Sequence, residues 1–232
     1  MKFTIYRNAL KAVSRFSAVK DIRFYLNGVF VESNPMQTRM VATDGHTLIV
    51  HRSDAKGDNE GSFSGIIPSE AVKAILAWKA NKYQKDFPII VSTIDDIEYR
   101  ADWNGMTCVF KLIDGKFPDY RKVIPRNVSG LHSHYDPDLM VRIKRASEDL
   151  GSDKGYFEFQ PNGMDQNQLK DNPVNSEGPG IGIINDSCVV VVMPMRGFRA
   201  NPEVAQWATE ELPMPVERQE TAPEATTEKV KA

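Results

Sequence analysis

At 232 residues the chain can hold one or two domains, and 41% hydrophobic with 26% charged residues is an ordinary globular balance. No apolar run approaches the roughly 20 residues that span a bilayer, and Met1-Lys-Phe-Thr-Ile-Tyr-Arg7 lacks the apolar stretch of a signal peptide, so a cytoplasmic, non-membrane protein is expected. The net charge of −2 is uneven: from Asn201 onward seven Glu stand against Arg218, Lys229 and Lys231, which gives an acidic tail of −4 and a mildly basic body of +2.

In chain order, Phe3-Thr-Ile5 reads as a short strand. Helical spacing follows from about Tyr6 to Val19, with Leu10, Val13 and Phe16 on one face. Ile22-Arg-Phe-Tyr-Leu26 alternates like a strand, and Asn27-Gly28 breaks its parity as a turn or a bulge. Met40–Thr43 and Thr47–Val50 flank Asp44-Gly45, a two-residue hairpin signal in which both turn positions want φ > 0. A second helix is expected after Pro68, with Ser69 as N-cap and Val72, Ile75 and Leu76 inward. Ile97–Trp103 and Met106–Leu112 flank Asn104-Gly105 as another hairpin. The third helix opens at Asp136-Pro-Asp138, carries Leu139, Ile143, Ala146 and Leu150 at spacings of four, three and four, and ends at Gly151. Tyr156–Phe159 and a final hairpin around Asn185-Asp186 complete the order.

A repeat emerges. Strand, helix, strand and hairpin occupy residues 1 to about 52 and recur from Phe63 to Leu112, and a third, partial copy begins near His132. Residues 161 to 180 read as a loop, and the Glu-, Pro- and Thr-rich tail is too polar to bury a core. The expected class is α+β, with repeated βαβββ units and helices on one face of antiparallel sheets. The expected division is a domain at 1–117, a shortened domain at 118–200 and a disordered tail at 201–232.

Catalytic chemistry is not legible. His132-Ser-His134-Tyr-Asp136 lacks the third and fourth converging ligands a metal needs and reads as a solvated loop. Asp44, Asp114 and Asp119 each have a local turn role. Gly178-Pro-Gly-Ile-Gly182 lacks the ending of a phosphate-binding loop. Cys108 and Cys188 sit in apolar runs and read as buried free thiols. No enzyme activity, metal or cofactor is expected.

The helix charges point elsewhere. Arg7, Lys11 and Arg15 fall at i, i+4 and i+8 with no acidic residue between Tyr6 and Lys20. Such like-charge pairs cost roughly a few tenths of a kcal/mol each, so an all-basic stripe suggests an anionic partner. Lys73, Arg142 and Arg145 add to it. Non-specific contact with phosphates is the expected use, against a merely solubilising face.

Four strings in order carry a resemblance: Arg23-Phe-Tyr-Leu-Asn-Gly28, Val41-Ala-Thr-Asp-Gly-His46, Phe117-Pro-Asp-Tyr-Arg121 with Val123 and Pro125, and Val192-Met-Pro-Met-Arg196. Over residues 1 to about 197 the chain resembles the bacterial sliding clamp family, the beta subunit of DNA polymerase III, in a shortened two-domain form. The resemblance implies the clamp fold and a head-to-tail ring of six domains, with basic helices toward duplex DNA. It also implies a hydrophobic pocket that takes short linear motifs of DNA polymerase and of the clamp loader. Carried over position by position, the pocket comprises Leu26, Thr43, Gly45, His46, Leu48, Pro118, Val123, Val191, Val192, Met193, Pro194 and Met195. Thr47 stands where the family usually has a basic residue after the motif His, which shifts peptide preference. Two domains per chain imply self-association, a trimer rather than a dimer. The alternative implied by the missing first domain is a clamp-like peptide-binding adaptor or competitor, of phage or mobile-element origin, that never encircles DNA.

Overall fold

The computed structural model describes residues 1–55, 57–78, 86–125, 134–152, 154–160 and 178–195. Met1–Gly197 form one compact unit, and Phe198–Ala232, a second unit, lie outside the described residues with the expected tail.

The first unit of the repeat is β1 (Lys2–Tyr6), α1 (Arg7–Ser14), β2 (Gly28–Ser33), β3 (Gln37–Thr43) and β4 (Thr47–Asp54). The second repeats the order with β5 (Phe63–Pro68), α2 (Ser69–Ala77), β6 (Pro88–Thr93), β7 (Glu98–Trp103) and β8 (Met106–Lys111). The third copy supplies α3 (Pro137–Asp149), β9 (Glu158–Gln160), β10 (Gly180–Asn185) and β11 (Cys188–Val192). The units exchange first strands. One sheet has the order β1-β6-β7-β8, and the other β5-β2-β3-β4-β11-β10-β9. All named pairings are antiparallel, and β11 continues the second sheet by lying against β4, Val191 opposite Leu48.

Apolar periodicity accounts for the core. Leu10, Val13 and Phe16 are fully buried together with Ile75, Ile143 and Ala146 of the other helices. Each large side chain so buried stabilises the fold by about 1.5–3 kcal/mol. A smaller second cluster, with Leu26, Leu48, Ile66, Phe117, Tyr120 and Val191, sits where β4 meets β11.

Several local expectations change. Ile22–Leu26 is not a strand. Asn27 accepts from the Asp21 N–H at 3.0 Å and donates to its carbonyl at 2.8 Å, closing a loop that ends in a 3-10 turn over Phe24–Leu26. Ser69 does not cap α2 with its side chain; its hydroxyl donates to the Asn27 carbonyl at 2.6 Å, and Pro68 holds the N-cap position. Asp136 does cap α3, accepting from the Asp138 N–H, and Gly151 leaves it at φ 101°. Asn104 and Gly105 both have positive φ, as a two-residue hairpin turn requires. At Asp44-Gly45 only Gly45 does, because the Asp44 carboxylate makes a wider, side-chain-bonded turn. Cys188 is buried, but Cys108, on β8, is only half-buried. His132 and residues 161–177 lie outside the described residues.

Candidate functional site: an apolar groove at the β4–β11 seam

The seam between β4 and β11 opens on one side into a groove of about 200 Å³. Its floor is the second apolar cluster, from which Leu26, Leu48, Phe117, Tyr120 and Val191 reach the surface. Distant parts of the chain meet here, and each is fixed by its own polar contacts.

The wall formed by the β3–β4 turn is held by Asp44. One carboxylate oxygen accepts from the His46 N–H (2.9 Å), the Thr47 N–H (2.8 Å) and the Thr47 hydroxyl (3.0 Å). The other forms an ion pair with Arg142 of α3, which also donates to the Thr47 hydroxyl at 2.9 Å. Burial pushes the Asp44 carboxyl up, but Arg142 and the two backbone N–H groups outweigh it and hold it below the usual carboxylate range. Gly45, at φ +94°, lies under Arg23; a Cβ there would sit 3.1 Å from a guanidinium nitrogen. Arg23 in turn pairs with Asp21 and donates to the Asp44 carbonyl.

The opposite wall is the segment from Phe117 to Val123. Phe117 stacks on Phe30 of β2, ring centroids 4.8 Å apart. The Tyr120 hydroxyl donates to Glu32 at 2.7 Å, and Arg121 pairs with the same carboxylate. Burial raises the Glu32 carboxyl, yet Arg121 and Tyr120 together hold it lowered. The end of the groove is Met193, whose N–H donates to the His46 carbonyl at 2.8 Å. Beyond it the Met195 N–H donates to the His134 carbonyl at 2.7 Å.

Of the twelve pocket positions expected from sequence, Leu26, Thr43, Gly45, His46, Leu48, Pro118, Val123, Val191 and Met193 line the groove. Val192 does not: strand alternation turns it into the main core, fully buried. Pro194 and Met195 lie past the lining residues. Sequence reasoning missed Arg23, Thr47, Phe117, Asp119 and Tyr120, although three of its motifs contained or bordered them.

The basic positions are placed less simply. Arg7 reaches the end of α2, donating to the carbonyls of Leu76 and Trp78. Lys11 and Arg15 both pair with Asp149 of α3, whose side chain is only 7% exposed. Every residue of α1 is buried or half-buried. Arg142 is committed to Asp44. Lys73 and Arg145 are exposed and make no ion pair among the described residues. A second hollow, about 520 Å³, lies between the end of α1 and α2, with Lys20, Glu70 and Lys73 on its rim. Its lining comes from neighbouring helix ends and lacks the aromatic floor of the groove. Among the described residues no group of three His, Cys, Asp or Glu could hold a metal ion, and no helix is long and apolar enough to cross a membrane.

This architecture has known counterparts. The family described as DNA polymerase III beta subunit, central domain, matches residues 2–119. The beta sliding clamp of Escherichia coli K12 is 32% identical over 188 residues, covering 78% of this chain and 49% of the relative. That of Pseudomonas aeruginosa is 35% identical over 120 residues, covering 52% and 32%. The chain thus spans about half the length, or less, of the curated relatives it matches. Among solved structures, DNA polymerase III subunit beta from P. aeruginosa superposes with a TM-score of 0.56 at 24% identity, covering 85% of this chain and 67% of that one. The Thermotoga maritima beta subunit gives 0.61 at 16% identity, covering 85% and 66%. At these identities the superpositions speak for the fold, while the match over residues 2–119 places this chain in the DNA polymerase III beta subunit, or sliding clamp, family.

Proposed function

We propose that the chain is a cytoplasmic, non-enzymatic DNA sliding clamp that recruits a DNA polymerase and its loader. It takes short linear motifs of those proteins into the groove at the β4–β11 seam. The supporting observation is the convergence of an apolar floor with Thr43, His46, Arg23 and Met193 on one opening. Such a groove suits one or two Leu or Phe anchors, with polar rim groups setting orientation. On this reading residues 1–117 and 118–200 act as a full and a shortened clamp domain. Several copies, a trimer by count of domains, encircle duplex DNA through non-specific phosphate contacts.

The test is fluorescence anisotropy with a labelled short peptide carrying Leu and Phe anchors. Binding lost on Val191→Asp, with the fold retained, supports the reading; no binding by the unaltered chain overturns it.

A second reading is favoured by the internal pairing of Arg7, Lys11, Arg15 and Arg142. It is a clamp-like adaptor that uses the groove without encircling DNA. Retention on closed circular DNA, released by linearising it, separates the two.

A further inference from the structure

Strand register builds a row of three soft donors on the core side of the larger sheet. Met40 of β3 pairs with His51 of β4, and His51 pairs with Cys188 of β11. All three stand on the face that carries Ala42, Ile49 and Val190 into the main core, opposite the face whose Leu48 and Val191 floor the groove. The two pairs differ in spacing. The Asp44 N–H donates to the Thr47 carbonyl, so every second pair from there, down to Met40–His51, exchanges hydrogen bonds. The Arg52 N–H donates to the Ser187 carbonyl, which makes His51–Cys188 a pair of the closer, non-hydrogen-bonded kind.

The row is closed off and its donors are idle. Cys188 and Met40 are 0% and 1% exposed, and His51 is 8% exposed. Among the described residues the buried His51 Nδ1 has no hydrogen-bond partner. Next along the sheet the row Ala42, Ile49 and Val190 is wholly apolar. On the other side the Thr38 hydroxyl is already engaged by Ser33 and Asn59.

We propose that Met40, His51 and Cys188 form a binding site for one copper(I) ion, held by the Met40 thioether, the His51 Nδ1 and the Cys188 thiolate. Only His51 and Cys188 belong to the His, Cys, Asp and Glu set of common ligands; the third donor is the thioether. Bonds of the length zinc makes, about 2.3 Å to sulfur and about 2.0 Å to nitrogen, let one ion reach both members of a cross-strand pair whose Cβ atoms stand ~4.5–5.5 Å apart. Softness and charge select the metal. Thioether and thiolate favour copper(I) over hard cations. With one thiolate, copper(I) makes a neutral pair that suits an apolar interior, whereas zinc would leave a net positive charge there and lack its fourth ligand. Burial keeps the proton on Cys188 in the metal-free chain, pushing the thiol up to about 12. On binding, the ion takes that proton's place and the proton leaves to solvent, with no change of oxidation state. The bound ion ties β3, β4 and β11 together from the core side.

None of the three residues lines the groove, so the site stands or falls apart from peptide docking. The experiment is an anaerobic titration of the reduced 232-residue chain with copper(I) against bicinchoninate, a coloured copper(I) chelator, with metal analysis after desalting. One ion per chain is expected to be taken from the chelator, with a thiolate-to-copper charge-transfer band in the ultraviolet. Cys188→Ala is expected to abolish both the band and the retention. Met40→Leu is expected to weaken binding by about tenfold or more, at least what losing an outer-shell partner costs. Cys108→Ala, at the other cysteine, is expected to keep both signals. Copper(I) should also raise the thermal midpoint of the parent chain and not that of Cys188→Ala. A circular dichroism melt of each metal-free variant checks folding, and if Cys188→Ala is not folded, Met40→Leu decides. No retained copper overturns the site. So does retention unchanged in folded Cys188→Ala or in Met40→Leu, loss of the ion in Cys108→Ala, or zinc bound as tightly as copper(I).

Discussion

Arg142 on α3 and Asp44 in the β3–β4 turn, 98 positions apart, form an ion pair that ties the helix layer to the rim of the groove. The same carboxylate organises the N–H groups of His46 and Thr47. The groove wall is thus fixed from the side facing away from any bound peptide.

Arg142→Ala is expected to leave Asp44 partly buried without its cation, at a cost of about 1–3 kcal/mol in stability. Peptide affinity falls several-fold because the turn loosens, although Arg142 does not line the groove. Urea unfolding and peptide anisotropy on the same preparation check both effects.

Gly45→Ala places a methyl group against the Arg23 guanidinium in a left-handed backbone conformation. The expected cost is about 1–2 kcal/mol, from strain at φ > 0. Loss of peptide binding should exceed the loss of stability, because Arg23 must leave the rim to make room. Gly105→Ala, at φ +78° with no described residue near the added carbon, is the control: it shares the strain and spares the groove.

Asp149 gathers Lys11 and Arg15, and its removal releases two cations onto the helix layer. Asp149→Ala is expected to destabilise the fold by about 1–3 kcal/mol. If this layer faces DNA, the variant binds duplex more tightly, and its salt dependence steepens by up to about two units of slope. Titrating labelled duplex at three salt concentrations reads this. An unchanged slope would mean that DNA does not approach α1.

His51 lies in β4 opposite Cys188, and among the described residues its buried Nδ1 has no hydrogen-bond partner. Burial holds the imidazole neutral, with its pKa pulled down to about 4 from 6.5. In the unfolded chain it takes up a proton near 6.5, so between these values the unfolded state binds more protons than the native one. The contribution is complete above pH 6.5 and is lost as pH falls towards 4, by roughly 3 kcal/mol in all. Urea midpoints from pH 7.5 to 4 should show this slope, and His51→Met should flatten it.

What could be read in advance was local. The Asn104-Gly105 turn, the Asp136 cap and the inward face of α1 follow from residue types a few positions apart. Nine pocket positions came from a resemblance whose strings meet in space. What could not be read depended on distant partners. Lys11 and Arg15 look like a stripe awaiting an anion until Asp149, more than 130 positions on, is brought beside them. Ile22–Leu26 alternates like a strand, but Asn27 folds it back on Asp21 and leaves Ile22 97% exposed. Val192 follows Val191 in the motif, yet strand alternation sends the two side chains to different cores.

The pairing of β11 with β4 has a temporal consequence. The groove's floor and end need Val191 and Met193, which leave the ribosome long after the turn that forms its wall. A growing chain can complete its first two repeats without offering a docking site. On the proposed function, docking in the groove waits until the last strand has been added to the sheet, and a prematurely terminated product would be silent rather than a decoy.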